Sequence, residues 1–431
     1  MRMPIWPFGT LSWGDRETWE QRISSSAAMD DPEAALRKAR ATLTAILHEN
    51  LLPFWTERLP EAAGADREFL AEERDGSRVV NLILVARYLW FVSRLVASAH
   101  QREIHRELAH RTYRLLSGKL HDAEHGGFFW EVDVSTGVAN KPNKHLYGQA
   151  FAIFALAQYG LAVGSEHAIG LASSSFAVLE RQAHDPELGG YREWLSRDWQ
   201  PARGAGYLGW EARFKLVNTH LHLLEAFTGL AAAAPSSLLR SRVAELIEIL
   251  SARTVSPRFG VALDCRLENW EPLRKRRNNK VSYGHDLETI YLLLAACDAI
   301  GADRDAIVEN FRHRFAYCMR LGFDYENGGF FDHGPLGRAA TSTTKIWWVQ
   351  AEALLSALTM YRLTLERPYL AVFDRTLGWI QNAQIDWRGG EWHRNIEPDG
   401  RTTGTKIDRW KDPYHNGRAV LTCLDLIDEL L

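Results

Sequence analysis

Gly126-Gly127-Phe128-Phe129-Trp130 returns along the chain, with small changes, as Gly189-Gly-Tyr-Arg-Glu-Trp194, Gly328-Gly-Phe-Phe-Asp332 and Gly389-Gly-Glu-Trp392. Each copy interrupts a long connection between two segments of helical periodicity, and paired glycines followed by aromatics read as the tight turn of a small β-hairpin. Phe259-Gly-Val-Ala-Leu-Asp264 is a degenerate fifth copy. Between successive copies lie two helical segments joined by a short break, such as Glu366-Arg367 or Gly301-Ala302. The repeating unit is therefore helix, short turn, helix and long hairpin-bearing loop, about 60–70 residues in all.

Working outward from these turns, apolar periodicity predicts twelve helices, over 32–55, 79–99, 102–120, 143–164, 168–184, 212–233, 236–254, 282–300, 303–321, 345–365, 368–384 and 412–431. Helices starting at 79, 143, 282 and 345 are apolar nearly all round, whereas 102–120, 236–254 and 303–321 carry Arg and Glu on one face. Alternating inner and outer helices imply an all-α fold, an (α/α)6 barrel with small β-hairpins in its long loops. Those loops then roof a central pocket at the end where the inner helices begin. Residues 31–431 are expected to form this single catalytic domain. Residues 1–30, ending in Ser24-Ser25-Ser26, stand apart as an N-terminal arm whose order the sequence leaves open.

Composition narrows the function. Among 431 residues, 46% are hydrophobic and 24% charged, with a net charge of -3, so nothing draws the chain to nucleic acid or to a membrane surface. No run of 18 apolar residues is seen, and the four cysteines are too far apart for a disulfide framework or a CxxC metal site. A cytoplasmic protein, a monomer or weak dimer, is expected. Its 16 Trp offer flat apolar faces suited to sugar rings as well as to a core.

Polar and aromatic residues recur at the start of every inner helix: Arg87; Tyr147 and Gln149; Asn218, His222 and Glu225; His285 and Glu288; Trp347, Trp348, Gln350 and Glu352; Trp410 and His415. Burying so many such groups without partners would be costly, which points to a polar ligand. His285 and Glu288 are three apart and share a helix face, and a helix N-terminus favours neutral imidazole, the form of a general base. Asn218, His222 and Glu225 share another face, with His220 rotated away into a structural role. The His220/His222 spacing is poor for a metal, so none is expected.

Ser282-Tyr-Gly-His-Asp-Leu-Glu288, Asn218-Thr-His-Leu-His-Leu-Leu-Glu-Ala226, Lys345-Ile-Trp-Trp-Val-Gln-Ala-Glu352 and Asp412-Pro-Tyr-His-Asn-Gly-Arg418 resemble the N-acylglucosamine 2-epimerase superfamily, most closely its cellobiose and mannose 2-epimerase branch. The resemblance runs from about residue 35 to the C-terminus. It implies catalysis without a cofactor, in which His285 and His415 exchange the proton at C2 of an opened aldose. By position it places Arg87, Asn218, His222 and Glu288 around the sugar O1, O2 and the catalytic histidines, with Tyr147, Trp348 and Trp410 as pocket walls. Trp347 and Glu352 are further candidates for substrate contact. The expected reaction interconverts glucose- and mannose-configured aldoses, free or at the reducing end of a β-1,4 disaccharide. An aldose–ketose isomerase would need only one base. An (α/α)6 glycoside hydrolase would need paired carboxylates from Asp286, Glu288, Glu352 or Asp412.

Overall fold

The computed structural model describes residues 18–23, 30–63, 70–273 and 280–431. Helix α1 (Trp19–Ile23) precedes α2 (Pro32–Ala45), which runs through two π-helical stretches into α3 (Leu59–Ala63). Then come five inner–outer pairs: α4 (Leu82–Val96) with α5 (Glu103–Leu115), α6 (Leu146–Val163) with α7 (Glu166–Gln182), and α8 (Val217–Ala233) with α9 (Ser237–Glu248). The last two are α10 (Tyr283–Ile300) with α11 (Asp305–Gly322), and α12 (Trp347–Thr364) with α13 (Arg367–Trp379). The sixth inner helix is α14 (Tyr414–Leu430), and its outer partner is α2. Each inner helix packs on the next, and α14 returns to α4, closing the ring into an (α/α)6 barrel.

Composition decides which layer a helix joins. In α4 every residue but Arg94 is buried, whereas α5 buries only one stripe, Leu108, Ala109, Thr112 and Leu115 among it. α6 has mean hydropathy 1.4 over Leu146–Val163 and is long and apolar enough to cross a membrane, against the expectation that no such run exists. It is instead a core helix, 72% buried and packed between α4 and α8.

The inner helices begin one to five residues later than periodicity predicts, because each of α4, α6, α8, α10 and α12 is preceded by a short strand. Ser77–Asn81 pairs with Glu131–Asp133, Lys144–His145 with Trp194–Leu195, Phe214–Leu216 with Cys265–Leu267, Lys280–Ser282 with His333–Pro335, and Lys345–Ile346 with Asn395–Ile396. These antiparallel pairs stitch each loop to the next around the rim. The glycine turns themselves close on single bridges, such as His121 with Phe128 and Phe323 with Phe330, rather than on full hairpins.

Buried ion pairs fix the turns. Asp122, Asp185 and Asp324 open three of them and accept from Lys144, Lys215 and Lys345 at 2.8, 2.8 and 2.7 Å; each lysine lies two residues before an inner helix. The same lysines sit over Trp199, Trp270 and Trp379, so much of the tryptophan content serves the rim. Of the N-terminal arm, α1 docks on the outer layer. Trp19 packs on Phe315 and Tyr369 at 5.7 and 5.4 Å, Arg22 lies 3.4 Å over the Tyr325 ring, and Ile23 is fully buried. The serine run at 24–26 lies outside the described residues.

Candidate active site

The inner helices use equivalent positions for equivalent purposes. Counting each from its first residue, and α14 from its cap Pro413, the fourth position of α6, α8, α10, α12 and α14 ties the helix to the glycine turn before it, whereas α4 has Val85 there. Gln149 accepts from Phe128 N at 2.8 Å and donates to Phe128 O at 2.9 Å, and Gln350 repeats this with Phe330. His220 Nε2 accepts from Tyr191 N at 3.0 Å, Asp286 Oδ1 accepts from Ala262 N at 3.0 Å, and Asn416 donates to Glu391 at 2.5 Å. Gln149 and Gln350 are therefore rim tethers and not ligand contacts, while His220 is structural as its rotation implies.

The third position carries His285 and His415, and the sixth carries Arg87, Phe151, His222, Glu288, Glu352 and Arg418. Residues three apart share a helix face, and here that face is turned to the barrel axis. A cavity of about 460 Å³ opens there, lined by Arg87, Tyr147, Asn218, His222, His285, Glu288, Trp347, Trp348, Trp410 and His415. Leu208, Ile346, Arg394 and Asn395 complete the wall. Leu208, Arg394 and Asn395 belong to rim segments with no helical periodicity to single them out, whereas Ile346 falls within the predicted helix 345–365 but pairs as a strand with Asn395. Gly284, the second residue of α10, is required because a Cβ there would collide with the Trp348 indole. Both catalytic candidates lie against that indole, His285 at 5.0 Å and His415 at 5.5 Å between ring centroids.

Glu352 is placed differently from the expectation of a substrate contact. It lies behind His415, its Oε1 2.6 Å from Nδ1, and is 1% exposed. Glu288 does not hold His285 either; Asp264, in the degenerate turn, takes its Nδ1 at 3.1 Å. Glu288 Oε1 instead accepts from Arg418 Nη2 at 2.5 Å. Its Oε2 and Asn218 Oδ1 are buried acceptors with no protein partner among the described residues. Arg87 donates to Asp412 at 3.0 Å and to the Tyr147 hydroxyl at 2.7 Å, fixing a cation at the cavity wall. His222 Nδ1 lies 3.0 Å from Glu225 Oε2.

The two histidines have opposite electrostatics. Burial would lower His285, but the charge and hydrogen bond of Asp264, aided by Glu288 and Asp286, raise it to about 9. The helix terminus favours neutral imidazole, but here a carboxylate in contact outweighs the partial charge of a helix end. Burial drives His415 well below its ordinary value; Glu288 opposes this, while Arg87, Arg418 and His222 reinforce it. With Nδ1–H donated to Glu352, Nε2 is left as the nitrogen carrying the lone pair.

Two of the four carboxylates that a hydrolase could use are engaged elsewhere. Asp286 is bound by Arg314 and Ala262 N, and Asp412 by Arg87 and Tyr414 N. Glu288, Glu352 and His415 bring ligand atoms within 4.8 Å of one another, the spacing of a cation site. There, however, the Arg418 guanidinium supplies the positive charge, 2.5 Å from Glu288 and 2.8 Å from Glu352.

The N-acylglucosamine 2-epimerase (GlcNAc 2-epimerase) family profile matches residues 72–419, which span the inner helices α4 to α12 whole and the start of α14 with His415 and Arg418. The chain belongs to the N-acylglucosamine 2-epimerase family. Within this family it is 27% identical over 392 residues to the cellobiose 2-epimerase of Dictyoglomus turgidum, covering 89% of this chain and 97% of that one. The solved cellobiose 2-epimerase of Spirochaeta thermophila superposes with a TM-score of 0.79 at 30% identity, covering 92% of this chain and 98% of that one. The D-mannose isomerase of Pseudomonas cannabina is 25% identical over 323 residues, or 71% of this chain and 74% of that one. This member of the epimerase family is an isomerase-class enzyme acting on small sugars, a sugar 2-epimerase.

Proposed function

We propose that His415 and His285 form a base–acid pair that inverts C2 of an opened glucose- or mannose-configured aldose. The observation that carries this reading is that both histidines line one cavity against the Trp348 indole, each Nδ1 pinned by its own carboxylate. Neutral His415 takes the C2 proton through Nε2, and His285, charged at neutral pH, delivers a proton to the other face. The enediolate formed between these steps places negative charge on O1 and O2, where Arg87 supplies positive charge and the Asn218 amide a donor, with His222 beside them. Glu288 Oε2 accepts from a sugar hydroxyl, and Trp348 and Trp410 face the ring carbons. Every step is proton transfer, so the residues present suffice without cofactor or metal.

A cavity of about 460 Å³ suits a small sugar, and the cellobiose 2-epimerase relatives favour a disaccharide reducing end as well as a free aldose. The four cysteines are buried and unpaired, which supports a reducing, cytoplasmic setting. Incubation with mannose, glucose and cellobiose in deuterated water, followed by NMR, tests the reading. The expected product is the C2 epimer with deuterium at C2. Ketose dominating from the earliest time points would replace inversion by aldose–ketose isomerisation.

A further inference from the structure

Arg418 is the sixth-position residue that sequence inspection passes over, and it makes the densest set of contacts at the cavity floor. It is 2% exposed. Nη1 donates to Glu225 Oε1 at 2.5 Å and to the Tyr414 hydroxyl; Nη2 donates to Glu288 Oε1 at 2.5 Å and lies 2.8 Å from Glu352 Oε2. Each glutamate has a second duty: Glu225 receives His222 and Tyr414, Glu352 receives His415, and Glu288 presents a bare oxygen to the cavity. Burial opposes ionisation of Glu225, yet Arg418, His222 and Tyr414 hold it down at about 2.

We propose that Arg418 is the positioning residue of the site: by clamping Glu225, Glu288 and Glu352 together, one guanidinium aligns both His–Glu pairs and turns the free oxygen of Glu288 towards substrate. This rests on His415 being the base. A planar fork with several donors can bridge three carboxylates, whereas a lysine ammonium is a single point of charge. Around His415 stand Arg87 from α4, Tyr147 from α6, His222 from α8, Glu288 from α10, Glu352 from α12, and Asp412, Tyr414 and Arg418 at or in α14. Arg87, Arg418 and His222 among these disfavour imidazolium there.

Two variants separate geometry from charge. Arg418→Lys retains the charge but loses the fork; its kcat should fall about 10- to 100-fold, with the acid limb of kcat/KM unmoved. Arg418→Gln removes the charge; His415 then protonates more readily, so the acid limb should move to higher pH. Circular dichroism sets the folded fraction to which rates are normalised, and if the Gln variant does not fold, the kcat of the Lys variant decides alone. His415→Asn is the control. If it keeps turnover, the base assignment fails whatever Arg418 does. If it is inactive while Arg418→Lys keeps wild-type kcat, or while Arg418→Gln loses rate with its acid limb in place, the clamp is overturned.

Discussion

At the mouth of the barrel, the fourth and sixth positions of the inner helices lie within a turn of each other yet behave in opposite ways. The fourth repeats one job around the rim: Gln149, His220, Asp286, Gln350 and Asn416 all hold a glycine turn. The sixth mixes opposite charges and a ring: Arg87 and Arg418, Glu288 and Glu352, His222 and Phe151. Sameness there would build a symmetric ring of one charge, which no asymmetric sugar could read. The repeat supplies the scaffold, and the chemistry lies where the repeat is broken.

The deepest break expected is at the third position. His415→Asn should lower kcat by on the order of 10²-fold or more with an unchanged melting curve; near-wild-type turnover would mean that the asymmetry of the histidines is not catalytic. Lys144→Met should act in the opposite sense. It leaves Asp122 buried beside only the half-exposed Arg197, and should cost about 3–5 kcal/mol of stability, read by thermal or denaturant unfolding, with kcat per folded molecule retained. Gln149→Ala should cost about 1–3 kcal/mol through the unpaired backbone of Phe128. If it costs activity more than stability, the fourth position is not simply a tether.

The mildest change expected is Asp264→Asn. His285 is raised in the folded protein, so its pairing adds stability that is fully present below its unfolded value, near 6.5. That stability is lost as pH rises through about 9. Removing the carboxylate should move the basic limb of kcat/KM down from near pH 9 towards neutrality while leaving the acid limb in place. A basic limb unmoved in this variant would detach it from His285.

Inner and outer layers were legible because apolar surface is a property of each helix by itself. Ten of the eleven site residues read from the sequence face the cavity for the same reason: they fall at the start of helices whose position in the ring the repeat determines. What escaped was pairing across helices. Asp264 sits in a turn that reads as degenerate, and nothing local says its carboxylate meets His285. Glu352 looks like a wall residue until α14 brings His415 in front of it. Arg418 could have been found by setting the six inner helices in register, since it falls in line with Arg87, His222 and Glu288. The helix read over 32–55 runs on past its predicted end, through a second π-helical stretch (Pro53–Arg58) into Leu59–Ala63.

Closure of the ring by α14 against α4 also orders events in time. Synthesis runs from the N-terminus, and α14, with His415 and Arg418, follows every other element of the barrel in the chain. Five inner helices can assemble beforehand, but they hold Glu225, Glu288 and Glu352 as three buried carboxylates without the arginine that neutralises them. The last helix therefore brings both the counter-charge of the floor and the proposed base, so that a barrel lacking its final helix should be inert as well as unstable.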